Sequence, residues 1–157
     1  MNLSEIQNEF DKDSKINIYE LDKESLRTPE IHHKYLKLYS EIKLIYKSAD
    51  NKYKICYRDK WEHYSGKGER PHPDKILKSD IPIVLEGDEE LIKYKDKAEY
   101  IKSILEYLEE VIKILNNRSF HISNAIKFQQ FSQGVDWNEK VFKMVVVCNS
   151  NHNGNCY

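Results

Sequence analysis

The stretch from Glu30 to Ser65, which contains neither proline nor glycine, most constrains what this chain can fold into. Apolar side chains recur there at spacings of three and four residues, which is typical of an amphipathic helix. They are Ile31, Tyr35, Leu38, Ile42, Ile45, Ala49 and, after a gap, Cys56. Thr28 suits an N-cap and Pro29 suits a first helical position. The pattern predicts one helix over residues 29–64, about 50 Å long at 1.5 Å per residue.

A second helix is predicted to begin after Asp88, which suits an N-cap and is followed by two glutamates. Six apolar residues on it follow a three-four heptad rhythm: Ala98, Ile101, Leu105, Leu108, Ile112 and Leu115. Further apolar residues widen this stripe beyond the seam of a two-stranded coiled coil. The width predicts contact with several helices at once, more than one short chain is expected to supply, so residues 98–134 are expected to hold a homo-oligomer. Asn116–Arg118 is predicted to end the helix, with Ser119 capping a shorter one that runs to Gly134.

The rest of the chain gives weaker patterns. Leu3, Ile6 and Phe10 indicate a short amphipathic helix, and residues 65–80 contain two glycines and two prolines, which indicates a loop. Residues 81–85 form a short apolar run containing Pro82, which favours an edge strand or an extended segment. Residues 141–148 favour a strand, followed by a polar tail. The predicted fold is therefore mainly α, with a long helix in the N-terminal half, a short extended segment, and C-terminal helices forming an oligomeric helical barrel.

Composition excludes several classes of protein. No apolar run approaches the 18 or so residues of a membrane span, and the N-terminus lacks the pattern of a secretory signal. Three cysteines, an odd number, do not make a disulfide framework, so a reduced, cytosolic protein is expected. Cys148, His152 and Cys156 match no standard zinc spacing. With no recognisable nucleophile–base pair either, we expect no enzyme activity, no metal site and no cofactor.

Charge is strongly segregated along the chain although the formal net charge is only −1. Residues 34–70 carry 10 basic and 5 acidic side chains, whereas residues 86–110 carry 4 basic and 9 acidic ones. Opposite blocks of this kind indicate either an anion-binding surface or attraction between segments of the same protein.

The basic block places cations and aromatic rings on one face of the first long helix. At 100° per residue, Lys43, Lys54, Lys47 and Arg58 lie within about 60° of one another, opposite the apolar seam. Trp61 and Tyr57 lie on the same side. Cations that follow a phosphate backbone, with rings on which bases stack, are typical of single-stranded nucleic-acid binding. An ordinary solvated helix face would give the same spacing, and a coiled-coil structural or adaptor protein without nucleic-acid binding is the alternative function.

Two further cations lie near the end of this helix. Lys60 falls at about 260° from Lys43, on the apolar side, so helical phase does not place it with the other cations. Lys67 lies in the segment Tyr64-Ser65-Gly66-Lys67-Gly68, which lacks the spacing of a phosphate-binding P-loop. Gly66 is instead expected to end the helix as a C-cap glycine.

Three segments together resemble the UvsY family of phage recombination mediators over about residues 1–134. They are Arg58-Asp59-Lys60-Trp61-Glu62-His63-Tyr64-Ser65-Gly66-Lys67-Gly68, the acidic stretch from Leu85 to Leu91, and Arg118-Ser119-Phe120-His121-Ile122. The resemblance implies a non-enzymatic, ring-shaped homo-oligomer, expected to be a heptamer, that assembles through its C-terminal helices. It also implies that Arg58 and Lys60 matter for DNA binding, with Lys54, Lys47, Lys43, Trp61, Tyr57 and Lys67 as the further candidates.

The family's activity, carried over to this chain, implies three partners besides itself. They are single-stranded DNA, the phage single-strand-binding protein that the mediator helps to displace, and the RecA-like recombinase UvsX that it loads. The expected place of action is the cytoplasm of the infected bacterial host. Residues 1–87 would form the DNA-binding region and residues 88–134 the oligomerisation region. Residues 135–157 extend past the usual end of the family and form an appended tail of unknown role.

Overall fold

A computed structural model describes residues 2–68, 72–73 and 76–134 as an antiparallel pair of long helices with two short ones packed against it. The helices are α1 (Leu3–Asp13), α2 (Leu21–Tyr64), α3 (Ile81–Glu86) and α4 (Glu89–Ser132). Each long helix has 44 residues and is therefore about 66 Å long. Across the described ranges there is no β-strand. The mainly helical class predicted from the sequence is confirmed, and the predicted boundary at residues 87/88 falls at the turn between α3 and α4.

The predicted N-terminal helix is present as α1. A capping box fixes its start, because the Asn2 side chain accepts a hydrogen bond from the Glu5 amide and the Glu5 carboxylate accepts one from the Asn2 amide. Ile6 and Phe10 are buried against the long helices, and Phe10 meets Tyr35 of α2 edge to face at 5.4 Å. Helix α1 therefore packs against both long helices, with Phe10 on Tyr35 of α2 and the Leu3 amide donating to the Tyr100 hydroxyl of α4.

The main core lies between α2 and α4, and the heptad stripe of α4 forms most of its α4 side. Five of the six predicted seam residues are buried within the single chain, and Ile112 is partly buried against the same core. Leu108 is fully buried. The expectation that one chain cannot cover this stripe is therefore wrong, because α2 and α1 of the same chain cover it.

Helix α2 begins at Leu21, not at the predicted residue 29, and Pro29 lies inside it. A proline within a helix removes one main-chain hydrogen bond, here the one to the carbonyl of Ser25. The Thr28 hydroxyl donates to the Glu24 carbonyl at 2.8 Å instead of capping a helix start. Leu21 and Glu24 are buried, so tertiary packing offsets the local cost of proline and extends the helix by two turns.

Two other local predictions are wrong for similar reasons. Helix α4 continues through Asn116–Ser119 without a break, because Leu115, Arg118 and Ile122 are buried at helical spacing there. Residues 81–86 form helix α3 rather than an extended segment. Ile81 and Leu85 lie one turn apart and both are buried, whereas Ile83 is exposed. A strand would have placed all three side chains on one face, but a helix separates Ile83 from the other two.

A second, smaller core lies at the α3 end of the hairpin. Its buried residues are Ile81, Leu85 and Leu91, and the partly buried side chains packed against them are Tyr53, Cys56, Trp61, Tyr64 and Ile76. Asp88 caps α4 as predicted, since its side chain accepts hydrogen bonds from the amides of Glu90 and Leu91. This cluster joins the C-terminal end of α2 to the N-terminal end of α4.

The end of α2 is a Schellman motif, which confirms the predicted role of Gly66. The Gly66 amide donates to the His63 carbonyl and the Lys67 amide donates to the Glu62 carbonyl. Gly66 has a φ of +75°, a left-handed conformation that favours glycine. Lys67 lies directly after this turn, and its side chain is exposed.

Candidate nucleic-acid interface

The predicted cations of α2 lie along its exposed surface. Lys43, Lys47, Lys54 and Arg58 are all exposed, and they extend along about 22 Å of the helix. Lys67 is also exposed, just beyond the helix end. The structure therefore gives five of the six predicted basic residues access to a polyanion, and we refer to Lys43, Lys47, Lys54 and Arg58 as the α2 basic stripe.

Two members of the α2 basic stripe already have carboxylate partners. Lys54 Nζ lies 2.6 Å from Asp50 Oδ2, and both Nε and a terminal nitrogen of Arg58 hydrogen-bond to Asp59 Oδ1, at 3.1 and 2.8 Å. Hydrogen bonding to these aspartates raises the pKa of Lys54 and that of Arg58. Both cations remain fully charged near neutral pH, but a phosphate must share or displace their carboxylates.

Lys43, Lys47 and Lys67, the other exposed candidates, differ from Lys54 and Arg58 in their surroundings. Lys43 Nζ lies 5.4 Å from the centre of the Tyr39 ring, a cation–π contact. Within the described ranges, neither Lys47 nor Lys67 forms an ion pair with a carboxylate. Lys47 is therefore the member of the α2 basic stripe that can take a phosphate at the lowest cost.

The aromatic candidates belong to a ladder on successive turns of α2. The centre of the Tyr57 ring lies 6.2 Å from that of Tyr53 and 6.4 Å from that of Trp61. The rings of Tyr57 and Trp61 are nearly parallel, with 21° between their planes. Trp61 is partly buried because one side packs against the second core, whereas Tyr57 is 36% exposed. Tyr57 is thus the ring with more surface available for stacking on a base.

Lys60 lies apart from the α2 basic stripe, on the side that faces α4, where helical phase put it. Its side chain is 27% exposed, and its Nζ lies 2.9 Å from Asp88 Oδ2 and 3.0 Å from Glu90 Oε2. The hydrogen bond to Asp88, together with that to Glu90, strongly raises the pKa of Lys60. The two residues implied by the family resemblance, Arg58 and Lys60, therefore occupy different environments at the same helix end.

Asp88 holds this junction together. One of its oxygens caps α4, and the other accepts from Lys60 and, at 3.4 Å, from the Tyr64 hydroxyl. Burial alone would raise the pKa of Asp88, but the bond from Lys60 and the amide bonds outweigh it and leave the pKa below its usual value. The pairing of Lys60 with Asp88 and Glu90 was missed from the sequence, although the opposite charges of residues 34–70 and 86–110 were the signal for it.

An open groove of about 1260 Å³ runs beside this junction between α2 and α4. Its lining includes the apolar side chains of Ile45, Ile55 and Ile101 and the cations of Lys52, Lys60 and Lys97. In the described part of the chain, no group of three His, Cys, Asp or Glu residues is placed to hold a metal ion. Cys148, His152 and Cys156 lie outside the described residues, as does the strand predicted at 141–148.

Three phenylalanines near the C-terminal end of α4 are exposed in the single chain. Phe120, Phe128 and Phe131 are 65%, 70% and 82% exposed. Single exposed apolar residues are ordinary, but three large rings within four turns of one helix are typical of an association surface. We refer to them as the α4 aromatic end.

Among the described residues, none of the four helices combines the length and the apolar character of a membrane span.

The chain is similar to one family of known proteins over most of its length. Residues 9–135 match the model of the family described as "Recombination, repair and ssDNA binding protein UvsY". A curated relative, the recombination protein uvsY of Enterobacteria phage T4, is 24% identical over 136 residues, which cover 85% of this chain and 99% of the relative.

Solved structures show the same fold. A crystal structure of the bacteriophage T4 recombination mediator protein UvsY, lattice type II, superposes with a TM-score of 0.79 at 24% identity, covering 85% of this chain and 98% of that one. Lattice type IV of the same protein gives a TM-score of 0.78 at 22% identity and covers 83% and 99% of the two chains. The helical hairpin with its two short helices is therefore the fold of that protein.

Proposed function

Because the chain belongs to the UvsY family of recombination, repair and single-stranded-DNA-binding proteins, we propose that it is a recombination mediator. In this role it binds single-stranded DNA, helps to displace the single-strand-binding protein and loads a RecA-like recombinase of the UvsX type. It serves phage homologous recombination, repair and recombination-dependent replication, in the cytoplasm of the infected bacterial host. The role is that of a binding protein and needs no catalytic step.

The α2 basic stripe is the observation that supports this proposal best. Its four cations are exposed along about 22 Å of one helix, and Tyr57 lies among them with part of its ring open to solvent. A single strand can follow such a surface through phosphate contacts and base stacking, neither of which depends on sequence. Lys67 extends the charge past the helix end, and Trp61 supports Tyr57 from the partly buried side.

Self-association into a ring is the second part of the proposal. Each chain offers only a few phosphate contacts, so a single site is weak, and repetition of the site around a ring raises the effective concentration of the next one. Since the heptad stripe of α4 is buried within the chain, the exposed residues of 98–134, above all the α4 aromatic end, are the surface that supports contacts between subunits. We expect seven subunits.

Binding of a fluorescent oligo-dT strand at two salt concentrations, together with the mass of the protein in solution, tests the proposal. The logarithm of affinity should fall with the logarithm of salt at a slope of about −0.7 for each phosphate neutralised. Oligo-dT and a mixed-sequence strand should bind alike. A protein that associates with itself but shows no binding to either strand would instead be the alternative, a coiled-coil structural or adaptor protein.

A further inference from the structure

We propose that Glu90 limits the affinity of this protein for single-stranded DNA by occupying the place of a phosphate at Lys60. The proposal rests on the function proposed above and concerns the regulation of the same site. It assigns to α4 a part in DNA binding, although none of the candidate DNA contacts lies on that helix. In the free protein the Glu90 carboxylate is the competitor that DNA has to displace.

The geometry distinguishes Glu90 from the other partner of Lys60. The Asp88 side chain is only 8% exposed and also caps α4, so it stays in place whether or not DNA is bound. The Glu90 side chain is 58% exposed and its carboxylate lies 3.0 Å from Lys60 Nζ. Within the described ranges, the lysine is its only ion-pair partner. Glu90 can therefore turn into solvent and leave one donor of Lys60 free.

Replacing the Glu90 carboxylate by a DNA phosphate as the hydrogen-bond acceptor of Lys60 changes the free energy little. A Lys ammonium has three donors, and a carboxylate or a phosphate oxygen can accept the one that Glu90 now uses. While Glu90 is in place, its charge repels a phosphate that approaches Lys60. Once it has turned away, Asp88 still holds the lysine at the end of α2, close to Arg58 and Lys67 in the chain.

The same arrangement recurs on the α2 basic stripe, where Asp50 pairs with Lys54 and Asp59 with Arg58. Those pairs lie within one helix, and their cations are 68% and 64% exposed, so the cations exchange partners with solvent ions easily and each pair contributes little. Of these three pairs, Lys60–Glu90 is the one that joins two helices, and its cation is the least exposed of the three. It is therefore the pair whose removal should change DNA binding most.

The test compares Glu90→Gln with Glu89→Gln in binding to fluorescent oligo-dT. Both glutamates are exposed in the first turn of α4, so both variants lose one negative charge and the same interaction with the helix dipole. Of these two glutamates, only Glu90 forms an ion pair with a described residue. We expect Glu90→Gln to bind about 2- to 5-fold more tightly than Glu89→Gln. Its salt slope should be steeper by up to about 0.7 per subunit, as expected for one more phosphate contact.

A double-mutant cycle assigns the effect to Lys60. Lys60→Met keeps the apolar stem and removes the ammonium, so in that background Glu90→Gln and Glu89→Gln should bind DNA alike, with melting temperatures confirming that all variants are folded. Equal affinities of the two glutamine variants in the wild-type background, or weaker binding by Glu90→Gln, would overturn the inference while leaving the proposed function standing. Absence of DNA binding by the wild-type protein would overturn both.

Discussion

Arg118 of α4 and Glu24 of α2 form an ion pair with 2.7 Å between a terminal guanidinium nitrogen and Glu24 Oε2. The two side chains are 4% and 11% exposed. The guanidinium also donates to the main-chain carbonyls of Ser14 and Lys15, at 2.7 and 3.1 Å, in the connection between α1 and α2. One side chain of α4 thus fixes the start of α2 and the end of α1 together.

Removal of the Arg118 charge is expected to be strongly destabilising. Arg118→Met leaves the buried Glu24 carboxylate with only a more distant cation, Arg27, whose nearest guanidinium nitrogen lies 3.9 Å from Glu24 Oε2. We therefore expect a loss of about 3 kcal/mol of unfolding free energy, the lower end of the range for breaking a buried ion pair. Arg118→Met combined with Glu24→Gln should recover part of that loss, because no uncompensated charge remains. Urea denaturation of the three proteins measures both effects. A loss below about 1 kcal/mol for the single variant would show that Arg27 or water compensates the Glu24 charge.

The sequence predicted which faces of the helices are buried, but not what covers them. The three-four rhythm from Ala98 to Leu115 correctly marks a buried stripe, yet periodicity carries no information on whether the covering helix belongs to the same chain. The same limit explains Arg118, which the sequence predicts as part of a helix end, because a buried arginine becomes plausible only once its partner Glu24 is seen. Helical phase, in contrast, placed Lys60 correctly away from the α2 basic stripe.

Asp13 should make stability depend on pH in the acid range. Its carboxylate accepts from Lys34 at 2.6 Å, from the Tyr35 hydroxyl at 3.1 Å and from Arg27 at 3.1 Å. Burial raises the pKa of Asp13, but the bonds from Lys34 and Tyr35 and the charge of Arg27 outweigh it and leave the pKa below its usual value. A carboxyl whose pKa is lower in the folded chain than in the unfolded chain stabilises the fold when it is ionised. This stabilisation is fully present at pH values above the pKa of the unfolded carboxyl, about 3.9, and it is lost as the pH falls through the pKa of the folded one.

Asp13→Asn is therefore expected to lower stability by about 1–2 kcal/mol at pH 7 and to have little effect well below pH 4. Melting temperatures of the wild type and the variant between pH 3 and 7 should converge toward the acid end. Asp11→Asn is the matched control, because Asp11 is exposed on the same helix and forms no ion pair within the described ranges. A constant difference between Asp13→Asn and the wild type across this range would contradict the assignment.

Self-association should depend on the α4 aromatic end. Leu108→Asp would place a charge in the intramolecular core and unfold the chain, so it does not test assembly. Phe128→Ser with Phe131→Ser changes exposed residues instead, and we expect this variant to stay helical while its mass in analytical ultracentrifugation falls toward that of one chain. Leu44→Ser removes an equally exposed apolar residue from α2 and should leave the mass unchanged. A wild-type protein that sediments as a monomer at micromolar concentration would contradict the prediction.

Truncation after Gly134 should leave both DNA affinity and mass in solution unchanged. The matched family region ends at residue 135, and α4 ends at Ser132, so the residues that carry the proposed functions precede the cut. The oligo-dT assay and ultracentrifugation measure the two properties on the truncated and the full-length chain. A fall in either would assign a role to residues 135–157.

Arg58 and Lys60 are predicted to be the main DNA contacts, but the structure shows that their double substitution would be difficult to interpret. Lys60→Ala leaves the buried carboxylate of Asp88, which caps α4, without its cation, so part of any lost affinity would come from a displaced α4. Arg58→Ala with Lys47→Ala avoids this problem. Both side chains are exposed, and in the described part of the chain their only carboxylate contact is that of Arg58 with Asp59.

Arg58→Ala with Lys47→Ala should therefore weaken oligo-dT binding at least tenfold and reduce the salt slope by about 1.4, which corresponds to two phosphates. Helical content and assembly should not change, because neither residue belongs to a core. The control is Lys12→Ala with Lys15→Ala, which removes the same charge from exposed positions at the α1 end of the molecule. If the two double variants lose the same affinity, only net charge matters and the α2 basic stripe is not the site. If only the first loses it, the strand lies along α2.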